Sequence, residues 1–390
     1  MSNAVIAGVD MVKFAKPGQQ KPFREMASTA IRGAVADAGI EPSLIEQAYG
    51  SYIYGDSTCA QHALYDAFMT GIPVINVNNN CSSGSTAIFM ARQAVQSGAV
   101  ECALAFGFEE MQPGALGSHW DDRESPFENF FRVLDQNNYP EAPLALRCFG
   151  AAGHHYMEKY GASADLFAKV AVKTRNHAAV NPFALFTSEL TVEEVMASPV
   201  LYMDYLTRLM CCPPTCGAGA AVICSDSFAS RHGISTGVEI VSQAMATDTP
   251  ATWDDPINLV GADMTRRAAQ LVYEQAGIGV EEVDVVELHD CFTTNEVITY
   301  EGLGLCAEGE ATAFVDAGDN TYGGKYVVNP SGGLMSKGHP IGATGLAQCY
   351  ELVNQLRGNA GQRQVPGARI GLQHNLGLGG AAVVTLYRRS

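Results

Sequence analysis

Apolar residues fall along this chain in two rhythms. Short β-branched or aromatic runs alternate with longer stretches whose apolar positions return every three to four residues. The short runs predict strands at Val5–Val9, Ala48–Tyr54, Val74–Val77, Cys102–Gly107, Ala218–Ser225, Val238–Val241, Val283–Leu288, Ile370–His374 and Ala381–Leu386. The longer stretches predict helices at Arg24–Asp37, Ser82–Ser97, Thr265–Gln275 and Ala343–Leu356. Alternation of this kind marks an α/β chain.

The chain also matches itself, which bears on domain organisation. Cys81-Ser82-Ser83-Gly84-Ser85-Thr86 aligns with His339-Pro340-Ile341-Gly342-Ala343-Thr344 at an offset of 258 residues, each run opening a predicted helix. Gly219-Ala220-Ala221-Val222-Ile223 aligns with Gly380-Ala381-Ala382-Val383-Val384 at an offset of 161. The offsets differ by 97 residues, so the first half carries a domain-sized insertion between its helix and its last strand. The division expected is a first half of 1–117 and 216–247, an insertion of 118–215, and a second half of 248–390. Gly114 and Gly117 lead into the insertion, and Pro213-Pro214 close it. Chance matching of small-residue helix starts is the rival account, and it has to produce two matches in the same order.

Composition narrows the class. A chain of 390 residues suits two or three domains, and with 47% apolar and 17% charged residues it buries enough surface to fold. No apolar run approaches the roughly 18 residues of a membrane span, and no basic stretch leads into an apolar core at the N-terminus. Neither a membrane-spanning nor a secreted protein is therefore expected. The net charge of −17 argues against non-specific nucleic-acid binding, yet a few local cations can still hold one phosphorylated ligand. Eleven unevenly spaced cysteines indicate a reducing compartment rather than a disulfide framework. The terminal Tyr387-Arg388-Arg389-Ser390 lacks a Ser-Lys-Leu type of peroxisomal address, so a cytoplasmic protein is expected.

Three segments carry candidate chemistry. Cys81 follows a strand and the run Asn78-Asn79-Asn80 and precedes an apolar helix, which places its thiol at a helix N-terminus. Unpaired N–H groups there favour an anion and are expected to lower the thiol pKa. The competing reading makes Cys81 one more buried thiol. His339 lies in Ser336-Lys337-Gly338-His339-Pro340, flanked by Gly332-Gly333 and Gly342, where glycines let backbone approach a ligand closely. The duplication makes His339 the counterpart of Cys81, so a base and a thiol meet where two helix starts face each other. Otherwise His339 is a surface residue or a cap. The third segment is the apolar strand that ends in His289-Asp290-Cys291-Phe292, polar groups at the position where α/β sheets direct side chains into a crevice. Read structurally instead, Asp290 is a cap and Cys291 a core thiol.

Metal binding through His289, Cys291, His339 and His374 has the residue types but no CxxC or HExxH spacing, and no metal is expected. Gly377-Leu378-Gly379-Gly380 is followed by a strand rather than a helix, which removes it as a dinucleotide loop.

Four motifs in sequence order resemble the thiolase superfamily, and within it the sterol carrier protein type. They are Asn78-Asn79-Asn80-Cys81 with Gly84-Ser85, His289-Asp290-Cys291-Phe292, Gly338-His339-Pro340, and His374-Asn375-Leu376-Gly377-Leu378-Gly379-Gly380. Most thiolases have Asn-Glu-Ala-Phe at the second motif and a second catalytic cysteine in the last, where this chain has Asn375. The sterol-carrier type supplies the cysteine at Cys291 instead. The resemblance implies two βαβαβ-rich halves in a five-layered α/β/α/β/α core, with the insertion as a loop domain over a coenzyme A site. It implies 3-oxoacyl-CoA cleavage with Cys81 as nucleophile, His339 as its base, and Cys291 as the acid and base at Cα. His339 and a water held by His289 would receive the enolate oxygen, and the N–H groups of Cys81 and Gly377 the tetrahedral intermediate. Coenzyme A enters as substrate with no tightly bound cofactor, and the protein is a homodimer or homotetramer. Lys169, Lys173 and Arg175 of the insertion are candidates to meet the phosphates. Two other functions fit less well: a carbon–carbon lyase of the aldolase kind working with a partner subunit, and a non-catalytic acyl-CoA or sterol-binding protein. The first need not keep the cysteine, and the second need keep none of Cys81, His289, Cys291 and His339.

Overall fold

The computed structural model describes residues 3–112, 117, 120, 122–234 and 238–389. Among them ten strands form one sheet. In chain order these are β1 (Ala4–Met11), β2 (Gln47–Ser51), β3 (Val74–Val77), β4 (Cys102–Glu109), β5 (Gly217–Ser225), β6 (Val238–Ala246), β7 (Val285–Glu287), β8 (Val327–Val328), β9 (Ile370–Gly377) and β10 (Ala381–Arg389). Their order across the sheet is β8-β7-β9-β10-β6-β1-β5-β4-β2-β3.

That order reads the same from both ends once β1 to β5 are matched with β6 to β10. In each half the second strand is parallel to the third and fourth, and the fifth is antiparallel to the fourth and first. The halves join where β1 and β6 pair antiparallel, Ala4 with Ile240 and Val5 with Glu239. The fold is the duplicated α/β architecture expected from the internal repeat.

Helices supply the other layers: α1 (Phe23–Ala38), α2 (Ser83–Gln96), α3 (Leu144–Tyr160), α4 (Ala164–Ala178), α5 (Ala262–Ala276), α6 (Thr293–Gly302) and α7 (Thr344–Arg357). Helix α1 covers the outer face of the first half, α5 the outer face of the second, and α2 with α7 lie between the halves. Strand β5, Gly-Ala-Gly-Ala-Ala-Val-Ile-Cys-Ser, is buried along its whole length, and its small side chains leave room for α1 on one face and α7 on the other. Its alternate residues divide between two cores, as the pleat requires. Ala218, Ala220, Val222 and Cys224 join the core under α1, while Ala221 and Ile223 join the middle layer with Ile88, Leu346 and Leu352. Helices α2 and α7 touch at glycines: a Cβ on Gly84 would lie 2.9 Å from the Gly345 nitrogen, and one on Gly345 would lie 2.2 Å from the Ser85 nitrogen. The two sequence-matched helix starts are therefore in contact.

Strands β4 and β5 are separated by residues 110–216, whereas β9 and β10 are joined by the turn 378–380. The longer segment holds α3, α4 and a short hairpin of Val200–Tyr202 with Leu206–Thr207, and α3 and α4 pack on α6 of the second half. Gly114 and the expected boundary residue Ser118 lie outside the described residues.

Two predicted strands end early for a visible reason. Beyond Ser51 the N–H groups of Ile53 and Tyr54 turn to the Glu109 carboxylate, at 3.2 and 3.0 Å, instead of a neighbouring strand. Beyond Glu287 the Leu288 N–H donates to Asn329 Oδ1 at 2.8 Å. Helix α6 was not predicted, because Thr293 to Tyr300 are buried on every side and show no amphipathic period.

Candidate active site

Each candidate residue sits where a strand gives way to a helix or loop at one end of the sheet. Cys81 follows β3 and precedes α2, and His339 follows β8 and precedes α7, so the two occupy equivalent positions in the two halves. The turn before Cys81 is held by Asn80, whose φ of 49° is left-handed, and whose Nδ2 donates to the Leu378 carbonyl at 2.9 Å. Asparagine tolerates that conformation better than most side chains. Thr215 Oγ1 accepts from the His339 N–H at 3.0 Å and seats the second loop.

Cys81, His289 and His339 converge, each offering one sulfur or ring nitrogen within 4.8 Å of the others. The two imidazoles meet nearly perpendicular, at 84°, with centroids 5.0 Å apart. Cys291 is buried and lies outside that triangle, within electrostatic reach of Cys81 and Cys212. Its carbonyl accepts from the Cys212 N–H at 2.9 Å. Gly377 ends β9 pressed against the Cys81 loop, where a Cβ would meet the Asn79 carbonyl oxygen at 2.1 Å. The N–H groups directed at the Cys81 sulfur are its own and that of Leu378, one residue past Gly377.

The expectation of an acidified Cys81 thiol is corrected here. Although α2 starts two residues later, desolvation at the half-buried Cys81 and the charge of nearby Glu109 push the thiol up to about 12, and the two N–H groups offset only part of this. Burial pushes His339 down to about 3, and burial with two neighbouring imidazoles holds His289 well below its ordinary value. Burial also raises the Cys291 thiol far above the usual range. At neutral pH the site is therefore a neutral thiol among neutral imidazoles.

His374 is separate from the cluster. Its Nε2 is 3.0 Å from Thr265 Oγ1, and its Nδ1 faces the His289 N–H at 3.5 Å. The close triangle thus differs from the ligand set considered for a metal, with Cys81 in place of Cys291 and His374. Asp290 does not cap α6, whose N-cap is Phe292; its carboxylate accepts from Leu334 and Met335 N–H in the loop before His339, at 2.7 and 3.3 Å, and is pushed up to about 8 by burial.

Of the cations considered for phosphates, Lys173 is spoken for. It is buried against Glu296, an ion pair that ties α4 to α6, and that candidacy is corrected. Lys169 pairs with Asp316 at 2.5 Å, and Arg175 lies over the Phe186 ring and donates to Ser336 Oγ at 3.1 Å.

Sequence reading missed Glu109. It is buried, accepts from the N–H groups of Ile53, Tyr54 and Gly342, is pushed up to about 7, and so ties the end of β2 to the turn after His339. The first carboxylate after the apolar run Cys102 to Phe108, within Glu109-Glu110, was the available signal. All eleven cysteines are free thiols, and among the described residues no helix is long and apolar enough to cross a membrane.

Comparison with known proteins places these residues in context. The family model for the thiolase N-terminal domain matches residues 4–198, and that for the thiolase C-terminal domain-like family matches 242–388. Sterol carrier protein 2 of Rattus norvegicus is 53% identical over 390 residues, covering 98% of this chain and 71% of that protein. The benzoylsuccinyl-CoA thiolase subunit BbsB of Thauera aromatica is 35% identical, covering 98% of this chain and 97% of the other. Among solved structures, an Ltp2-ChsH2(DUF35) aldolase superposes with a TM-score of 0.85 at 23% identity, covering 99% of this chain and 98% of that chain, a likeness of fold.

Proposed function

This chain belongs to the thiolase family, and we propose that it cleaves 3-oxoacyl-CoA with coenzyme A, giving a chain-shortened acyl-CoA and acetyl-CoA or propionyl-CoA. The observation that carries the reading is the triangle of Cys81, His289 and His339.

His339 accepts the Cys81 proton as the thiolate attacks the 3-oxo carbon. Both partners are neutral at rest and desolvated, so the transfer moves one proton over a short distance and creates an ion pair only where the sulfur faces N–H groups. The tetrahedral intermediate collapses with cleavage of Cα–Cβ, which leaves an acyl group on Cys81 and the enolate of acetyl-CoA or propionyl-CoA. His339 and a water on His289 stabilise the enolate oxygen, and the N–H groups of Cys81 and Gly377 serve the tetrahedral oxyanion. Cys291, protonated at rest, delivers the proton to Cα. It then takes a proton from incoming coenzyme A, whose sulfur attacks the acyl-enzyme and frees Cys81. Residues 118–215 act as the loop domain over coenzyme A, and the protein works as a homodimer or homotetramer in the cytoplasm, with coenzyme A as substrate and no tightly bound cofactor.

The test is intact-mass spectrometry of the wild-type protein with 3-oxoacyl-CoA and no free coenzyme A. An acyl adduct is expected on the peptide holding Cys81, and Cys81→Ala should lose both adduct and turnover. Label on a different cysteine, with Cys81→Ala still active, overturns the assignment.

A further inference from the structure

A directional hydrogen-bond relay runs behind His289. Its fixed end is the Gly345 carbonyl, an acceptor only, which receives Gln373 Nε2 at 2.8 Å. That contact orients the Gln373 amide, so its Oε1 accepts from Tyr387 OH at 2.7 Å and its Nε2 also donates to Ser85 Oγ at 2.9 Å. With a donor already on its oxygen, the Ser85 hydroxyl sends its own hydrogen to Asn375 Oδ1 at 2.9 Å. Asn375 therefore presents Nδ2, a donor, to His289 Nδ1 at 2.9 Å. An amide turned the other way would put two N–H donors on Ser85 and lose the Ser85 to Asn375 hydrogen bond. His289 Nδ1 must then be unprotonated.

The arrangement behind His339 has the opposite sense. Thr344 Oγ1 donates to the Pro340 carbonyl at 3.1 Å, which leaves its oxygen to accept from His339 Nδ1–H at 2.6 Å. Burial keeps both rings neutral, so each has a single proton to place.

We propose that Gln373, Ser85 and Asn375 on one side and Thr344 on the other are positioning residues that lock the two active-site histidines in opposite tautomers. His289 carries its proton on Nε2, and His339 carries its lone pair there. The catalytic consequence rests on the thiolase reading: His339 Nε2 can take the Cys81 proton, while His289 Nε2–H donates to the water or oxyanion. Asn375, where most thiolases have a cysteine, is then an oriented donor whose carboxamide sets the neighbouring ring. Packing enforces the geometry, since Ser85 reaches β9 only because Gly345 lets α2 and α7 touch.

Protein labelled with 15N-histidine, examined by long-range 1H–15N correlation, reads each tautomer directly. His289 and His339 signals are assigned by their loss in His289→Gln and His339→Gln. The wild type should show His289 with Nε2 protonated and His339 with Nδ1 protonated. In Asn375→Asp, examined at a pH where the carboxyl is ionised, the side chain can only accept, so His289 Nδ1 should become protonated. If the ring stays neutral, kcat should fall roughly a hundredfold, as for a lost oxyanion donor, with little change in KM. Ser85→Ala frees the Asn375 amide to turn, and should give a mixture of His289 tautomers with a kcat between the other two. A merely structural role would lower Tm in these variants without moving the nitrogen signals. The proposal is overturned if wild-type His289 is protonated on Nδ1, if the two histidines share a tautomer, or if Asn375→Asp leaves Nδ1 bare. These signals are read without substrate, so failure to cleave 3-oxoacyl-CoA would defeat the thiolase reading and leave the relay to stand or fall on its own.

Discussion

Replacing Cys291 by alanine removes one sulfur atom from a buried position and one dissociable proton from the vicinity of Cys81, and the two losses differ greatly in size. The packing loss resembles that of a buried methylene, about 1 kcal/mol. If Cys291 moves the proton at Cα, the barrier rises by about 3 to 5 kcal/mol, the equivalent of a rate factor of roughly a hundred to ten thousand. The variant should therefore melt within a few degrees of the wild type and lose nearly all thiolysis. The decisive assay follows exchange of the α-protons of acetyl-CoA or propionyl-CoA with D2O by NMR, which reports proton transfer without carbon–carbon bond cleavage. Exchange should fall by the same factor as thiolysis. Alkylation of Cys81 by iodoacetamide should proceed at the wild-type rate, because the Cys81–His339 pair is untouched. Near-normal exchange in a folded Cys291→Ala protein would mean that another group carries the proton and that Cys291 is a core thiol.

Three further outcomes follow from the packing and electrostatics. Lys173→Met should destabilise the protein by about 3–5 kcal/mol in urea unfolding, because it strands the Glu296 charge in the interior; adding Glu296→Gln should recover part of the loss, and an additive double variant would argue against coupling. His177, buried between the Asn329 carbonyl and Thr321 Oγ1, is held near 3, below its unfolded value, so the unfolded chain binds its proton first and stability falls as pH drops from about 6.5 toward 3. In that window, urea unfolding of His177→Gln should show a stability slope smaller by at most about 1.4 kcal/mol per pH unit, and an unchanged slope would show that His177 titrates normally. Gly345→Ala places a methyl 2.2 Å from the Ser85 nitrogen and should lower both Tm and kcat by parting α2 from α7, whereas Gly39→Ala, at an open helix end with φ of 66°, should cost stability without affecting kcat.

Much of the molecule was legible in residue order. The strands of both halves other than the two-residue β8, the helices after β3 and β8, and the pairing of Cys81 with His339 follow from periodicity and an internal match, because strand and helix periods and Gly-rich helix starts are local properties of the chain. Length added little except the extra segment between β4 and β5. What local pattern could not carry was the environment of each group. The Cys81 thiol at a helix start reads as acidified, but desolvation and the Glu109 carboxylate, 28 residues away in the chain, reverse the direction. Lys173 reads as a candidate for a phosphate until α4 packs on α6 and buries it against Glu296. Helix α6 hides because a segment buried on all sides has no polar face to mark its period. The relay from Gly345 to His289 joins residues brought together only by the crossing of α2, α7 and β9. Dielectric surroundings and hydrogen-bond direction are set by neighbours distant in sequence, so residue order determined which groups are present and tertiary structure decided their charge and orientation.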